Sequence, residues 1–414
     1  MADPRTSPPP PTARSSAAEW MLTGLLAGNL AWTTLCLGGY LAQTMAVTVA
    51  LTGLTLAVHL LHRARGIERA PLHPAGWLVL PFLAYGAANA LWITPVPWLG
   101  WLDWLGWAQL GAVFWVALNG VRSPGPRAAL LGTVFALAAV SAALGVYQCF
   151  GHTEWLMLGR RQAEQFFGRA SGSFGIPNSL AALLLLVLPA ASALALRPGI
   201  GAARRLAWSA LAAWYAFGLY LTISRGGWLA CALALAAAPL LMGRLPKARR
   251  VGLALGALAV GVALVAGLYF AAPRVRARLD AAVQDAGERT RPIMWRGAWQ
   301  IFAEHPAWGG GAGGFNVLFE KHRPERYQDE PQWAHNDYVN TLADYGAVGF
   351  ALFFGACGFI VWRCRRGARM VSGANGEAQG RGADLPHSAS CRAGSPNPAA
   401  PNPTAEERST AAPL

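Results

Sequence analysis

Val251-Gly252-Leu253-Ala254-Leu255-Gly256-Ala257-Leu258 opens a run that carries no charged residue as far as Ala272. Such a run matches the roughly 20 residues that cross the hydrocarbon core of a bilayer as an α-helix. Working outward from it, the chain offers ten spans of this kind. They lie at 18–38, 41–61, 76–94, 104–121, 128–148, 179–196, 206–223, 226–243, 251–272 and 346–362. The composition agrees, with 54% hydrophobic and 13% charged residues and a positive mean hydropathy. The expected fold class is all-α: a polytopic membrane helix bundle of about ten transmembrane helices, with a long, partly helical periplasmic loop.

The expected organisation follows. Residues 1–17, with Pro8, Pro9, Pro10 and Pro11, form a disordered cytoplasmic leader, and 18–272 hold helices one to nine. Residues 273–345 form the periplasmic loop, 346–363 the tenth helix, and 364–414 a disordered cytoplasmic tail rich in Gly, Ala, Ser and Pro. The first apolar stretch, from Trp20, lacks a clear small-residue cleavage site and a second span follows at once, so it reads as a retained helix.

The net charge of +14 is not a nucleic-acid signature, because its distribution is wrong for one. Arg63, Arg65 and Arg69 follow span two, and Arg122 and Arg127 follow span four. Arg197, Arg204 and Arg205 follow span six; Arg244, Lys247, Arg249 and Arg250 follow span eight; Arg363, Arg365, Arg366 and Arg369 follow span ten. The connections at 39–40 and 95–103 carry no Lys or Arg. By the positive-inside rule both termini are expected in the cytoplasm of a multi-pass inner-membrane protein, with loops 149–178 and 273–345 outside. Trp98, Trp101, Trp104 and Trp107 would then stand as interfacial aromatics at the outer ends of spans three and four.

Six cysteines form no CxxC pair, and three of them lie in apolar spans. They read as packing residues, with no disulfide framework and no zinc site.

The long loop has internal pattern. Ile293, Trp295, Trp299, Ile301 and Phe302 surround a helix that Pro292 can start and His305-Pro306 stops, and it is expected to lie at the membrane interface. Gly309-Gly310-Gly311-Ala312-Gly313-Gly314 then makes a tight, bare-backbone turn.

Three outer elements set charge beside apolar surface: Arg169 to Asn178, Ile223 to Trp228, and the long loop with Arg291 and His335. Arg225 sits between two apolar runs. An Arg at the bilayer centre costs about 2.5–3.5 kcal/mol, less near the interface. By position alone it either faces a cavity with a partner or snorkels to the headgroups. His335 is either a general base near neutral pH or a polar loop residue beside the cap of the next helix, with Asn336 or Asp337 as that cap.

Taken together these segments resemble the O-antigen ligase and polymerase superfamily. His335-Asn336, nine residues, then Gly346-Ala347-Val348-Gly349 is similar to its signature. Arg169 with Ser171-Gly172-Ser173-Phe174 and Pro177-Asn178, then Ser224-Arg225-Gly226, fall in the family's order. So do Arg291 with Trp295, and His305-Pro306 with Gly309, Gly311 and Phe315. The resemblance covers residues 140–355. Relatives usually continue with further spans after the histidine loop; here one follows.

The resemblance implies a membrane glycosyltransferase. It would move a glycan from a polyprenyl pyrophosphate carrier to an acceptor hydroxyl at the outer face of the cytoplasmic membrane, as in lipopolysaccharide or polysaccharide biosynthesis. Arg169, Arg225 and Arg291 would hold the pyrophosphate, His335 would act on the hydroxyl, and Asn336, Asp337, Gly346 and Gly349 would support the site. The chemistry agrees, because guanidinium groups bind phosphate oxygens bidentately without a metal. No metal and no cofactor are expected. The partners are a polyprenyl-pyrophosphate-linked glycan donor, an acceptor (lipid A core, glycan or protein) and the bilayer. A polymerase and a protein O-oligosaccharyltransferase are the neighbouring readings. A small-solute (inorganic carbon) transporter fits less well, since the spans carry few interior charges and no clear repeat.

Overall fold

The computed structural model describes residues 16–39, 41–241, 246–273, 275–277, 280, 290–325 and 327–383. Most of the expected leader and the tail from 384 onward lie outside the described residues. The helices are α1 (Ala17–Leu35), α2 (Ala42–Ala64), α3 (Leu80–Trp92), α4 (Pro97–Gly120), α5 (Pro124–Phe150) and α6 (Pro177–Ala195). They continue with α7 (Ala202–Leu221), α8 (Arg225–Leu241), α9 (Lys247–Ala271), α10 (Thr290–Glu304), the single turn α11 (Phe315–Leu318) and α12 (Asp337–Ala383). No strand occurs among the described residues.

Each of the ten expected spans coincides with a helix. Six helical stretches are long and apolar enough to cross a membrane: Ala42–Ala64, Pro74–Trp92, Pro124–Phe150, Pro177–Ala195, Lys247–Ala271 and Asp337–Arg366. The first of these stretches to include a 3-10 turn, Pro74–Trp92, adds Pro74–Val79 to α3. In α1, α4 and α7 the indole, hydroxyl, amide or guanidinium groups lower the mean hydropathy, and α8 is short.

Helix starts follow local chemistry. Ser16 Oγ accepts from Glu19 N at 3.1 Å, an N-cap that begins α1. Pro97, Pro124 and Pro177 occupy the first turns of α4, α5 and α6, where a missing N–H costs nothing. This lengthens α4 beyond its expected start and brings Asp103 inside the helix.

Two helical groups result. α1 packs on α2, α4 and α5, and α3 lies along α4. α5, α6 and α7 enclose a core of small and branched residues, among them Ala138, Ala142, Leu180, Leu184 and Leu219, with Tyr215 fully buried. α8 packs on α6 and α9. The loop that holds α10 builds its own small core from Met294, Ala298, Ile301, Phe315, Phe319, Ala334 and Ala343. That core packs the described residues from Met294 to Ala343 together.

Trp98 and Trp101 are exposed at the start of α4, as interfacial aromatics would be. Trp104 and Trp107 are not. Trp104 Nε1 donates to Leu83 O at 2.8 Å, and Trp107 Nε1 donates to Asp103 Oδ2 at 3.1 Å. One to two turns deeper in the helix, an indole finds a partner on α3 or on its own helix instead of at the headgroups.

By packing, the chain divides into Met1–Val361 and Trp362–Leu414. In the second unit the Arg366 guanidinium lies 4.4 Å from the Trp362 ring centroid.

Candidate active site

α10 runs from Thr290 to Glu304, so Pro292 falls in its first turn and it stops directly before His305-Pro306, as expected. The glycine-rich segment behind it threads between α3, α4 and α12. Gly310 N donates to Ala343 O at 2.7 Å and Gly311 N to Asp344 O at 3.0 Å. In return Ala347 N donates to Pro306 O at 2.8 Å and Val348 N to Ala307 O at 3.2 Å. This exchange accounts for the break in α12 at Gly346, which has φ 63° and ψ −169°. Only glycine occupies that region readily. A Cβ there would meet Ala307 O at 2.4 Å. Backbone groups freed by the break are satisfied by the loop, as a break near membrane depth requires.

Further polar side chains fasten the same junction. Asn89 Nδ2 donates to Trp308 O at 2.8 Å, and Asn89 Oδ1 accepts from Ala312 N at 2.6 Å. Tyr85 Oη donates to Tyr345 O at 2.7 Å, and the Tyr345 hydroxyl donates to Asp103 Oδ2. Gly311 passes so close to the turn after α3 that a Cβ would meet Thr94 Cα at 2.2 Å. Gly349 packs on Tyr345 and Tyr85.

On this junction stands His335, exposed, with φ 51°. A left-handed backbone at a residue with a Cβ costs about 1–2 kcal/mol. Its neighbour Ala334 is fully buried, with N donating to Asn340 Oδ1 at 2.8 Å and O accepting from Trp295 Nε1 at 3.0 Å. Asn336 is the helix cap: its Oδ1 accepts from Tyr338 N at 3.1 Å and Val339 N at 3.4 Å. Asp337 begins α12 with its side chain exposed, and among the described residues it forms no bond to His335. Asn340 Nδ2 donates to Asp344 Oδ2 at 2.7 Å, and Asp344 Oδ1 accepts from Phe315 N at 2.8 Å.

The imidazole of His335 is held below the ordinary histidine range. Desolvation by the surrounding protein is the larger cause, and the nearby positive charge of Arg291 is the second. Both disfavour the imidazolium. Arg291 is exposed in the first turn of α10, and among the described residues no carboxylate pairs with it.

The other two arginines meet on a second turn. Arg169 is buried; its Nε donates to Thr222 O at 3.0 Å and its Nη2 reaches Ile223 O at 3.5 Å. Ala170 N donates to Leu221 O at 2.9 Å. Ile223 has φ 47°, unusual for a β-branched residue. Ser224 then caps α8: its Oγ accepts from Gly227 N at 3.2 Å and donates to Asn178 Oδ1 at 2.8 Å. Half-buried Arg225 is the first residue of α8. The segment 169–173 is organised by Gln148. Its Oε1 accepts from Ser171 N at 2.9 Å and Gly172 N at 2.8 Å, while Nε2 donates to Gly172 O at 2.9 Å.

The structure thus brings Arg169 and Arg225 to one turn and sets Arg291, on α10, within electrostatic reach of His335, with Gly346 and Gly349 at the helix break. Sequence reading missed Gln148, Asn89, Asn340 and Asp344. Each is a buried or half-buried polar residue; for Gln148 and Asn89 the surrounding helix is apolar, and that was the available signal. No group of three or more metal-ligating side chains occurs among the described residues.

The fold and these residues define a polytopic, all-α membrane protein with a glycine-rich polar segment hydrogen-bonded to a broken helix. Residues 210–354, about a third of the chain, match the family model for O-antigen ligase. The match supports placing the chain in the O-antigen ligase/polymerase superfamily. It includes Arg225, Arg291, His335, Gly346 and Gly349; Arg169 lies before it. Members of that family are membrane glycosyltransferase-type enzymes, ligases or polymerases, acting on lipid-linked glycans. Among curated proteins no match was found.

Proposed function

We propose that this protein transfers a glycan from a polyprenyl pyrophosphate carrier to an acceptor hydroxyl, at the outer face of the cytoplasmic membrane. The observation that carries the proposal is His335 beside Arg291 in the matched segment: a histidine biased toward its neutral form, next to a cation that no carboxylate neutralises among the described residues. A neutral imidazole can take the acceptor's proton as its oxygen attacks the anomeric carbon. The bond from that carbon to the pyrophosphate oxygen breaks, and the leaving group takes the electron pair. Arg291 and Arg225 stabilise the charge that develops there. Arg169, with its Nε on Thr222 O, completes the cationic surface from the buried side. No step needs a metal in this scheme. A ligase acting on lipid A core is the leading form; polymerase and protein-glycosylating forms share the same donor half.

A transfer assay in membranes tests the reading. It supplies a polyprenyl-pyrophosphate-linked glycan with lipid A core, a second lipid-linked glycan or a pilin-like protein as acceptor. Product that depends on His335 is expected, and the acceptor consumed names the subtype. Transfer that persists in His335→Ala, or no transfer to any acceptor by well-inserted protein, would overturn it.

A further inference from the structure

We infer that Asn340 and Asp344 are positioning residues for His335, holding its strained turn through a hydrogen-bonded chain from the helix core to the loop. The inference rests on His335 being the base.

The turn at His335 needs an external hold, because its left-handed backbone is unfavourable for a residue with a Cβ. The hold is applied at the preceding residue. Both backbone polar groups of Ala334 are used, one by Asn340 and one by Trp295. The Asn340 amide has a defined sense. Its oxygen faces an N–H and its nitrogen faces a carboxylate, so a flipped amide would set donor against donor and acceptor against acceptor. Asp344 fixes that sense with Oδ2 and anchors the glycine-rich loop through Phe315 N with Oδ1. The spacing of four residues puts Asn340 and Asp344 on one helix face.

Capping of α12 does not explain either residue. Asn336 is the cap, and Asp344 lies seven residues into the helix. Nor does packing: Asp344 is 3% exposed, and a buried carboxylate is costly where an apolar residue would fill the space. What the pair supplies is direction. It ties the height and rotation of the His335 turn to the helix break, while Trp295 ties the same turn to the helix that carries Arg291.

The experiment compares full-length wild type with Asn340→Ala and Asp344→Asn. The control is Thr341→Val, a buried change on the same helix outside the chain of bonds. Melting temperature, kcat and KM for the donor, and the acid limb of kcat against pH are measured for each. A misplacement of about 1 Å costs on the order of 10²-fold in rate. Asn340→Ala is therefore expected to lower kcat by that order with the donor KM nearly unchanged. As His335 leaves the Arg291 field, the acid limb moves to higher pH. Asp344→Asn keeps one acceptor and is expected to move the limb the same way with a smaller kcat loss. A fall in kcat with an unmoved limb, matched by the melting loss of Thr341→Val, would make the pair structural and overturn the inference. If His335→Ala abolishes transfer while both variants stay at wild-type kcat, this inference alone falls. If His335→Ala keeps transfer, the general-base reading falls and takes this one with it.

Discussion

Among the described residues, two turns that carry candidate site residues hold a non-glycine residue in left-handed backbone: Ile223 before Ser224-Arg225, and His335 itself. They are held in different ways. The arginine turn is clamped from a distant part of the chain, by the buried guanidinium of Arg169 on Thr222 O and Ile223 O. The histidine turn is clamped at Ala334 from two sides, by Asn340 of its own helix, four residues beyond the cap, and by Trp295 of α10. Strain of this kind persists only where the surroundings over-determine it. The arginine turn keeps a fixed cation against apolar helices. The histidine turn leaves an imidazole exposed, with an adjustable electrostatic neighbour.

The sharpest way to break the comparison is His335→Ala. A general base is typically worth about 10²–10⁴-fold, so transfer in membranes should fall by that order while insertion and melting temperature hold. Gly346→Ala comes next, because a methyl group would meet Ala307 O in a backbone region closed to alanine. Loss of folded protein is expected, read as a lower melting temperature and lower yield of inserted chain. Arg169→Lys should act less severely. An ammonium cannot present the planar fork that meets two carbonyls, so the Arg225 turn loosens. The donor KM should rise with kcat little changed; an unchanged KM would separate Arg169 from the donor site.

Arg291→Gln gives the finest reading in its pH profile, where the expected shift is small, beside the fall in kcat that follows from its role on the leaving group. The imidazole is active when neutral, and its pKa lies below the ordinary value partly through Arg291. Removing that charge raises the pKa, so the acid limb of activity should move to higher pH. Because desolvation is the larger cause, the limb should remain below its position for a solvated histidine. An unmoved limb would mean that Arg291 acts on the donor alone.

Much of this was legible in the sequence, and the reasons differ by element. The spans are visible because a bilayer demands long uncharged runs. α10 is visible at both ends because Pro292 and Pro306 act on the local backbone. The four tryptophans at the start of α4 divide: Trp98 and Trp101 are exposed, as interfacial residues would be, and the other two are not. Trp104 and Trp107 turn inward to Leu83 O and Asp103, contacts that depend on where α3 packs. Gln148, Asn89, Asn340 and Asp344 were passed over for the same reason. Gln148, Asn89 and Asp344 have partners 24, 223 and 29 residues away in the longest of their bonds, too far for a linear pattern to show, and Asn340 meets Ala334 N only through the left-handed turn at His335.

By itself the sequence determined the class of solvent, the helices, the two turns that carry charge and the glycines at the break. These are local consequences of hydropathy, of proline and glycine backbone limits, and of residue chemistry. Only the tertiary structure decided which groups share a turn. It set Arg169 under Ile223, placed Trp295 and Asn340 on either side of Ala334, and passed the bonds of the broken α12 to the loop at 306–311. The physical reason is that buried backbone and side-chain polar groups must find partners, and in a folded membrane protein those partners come from elsewhere in the chain.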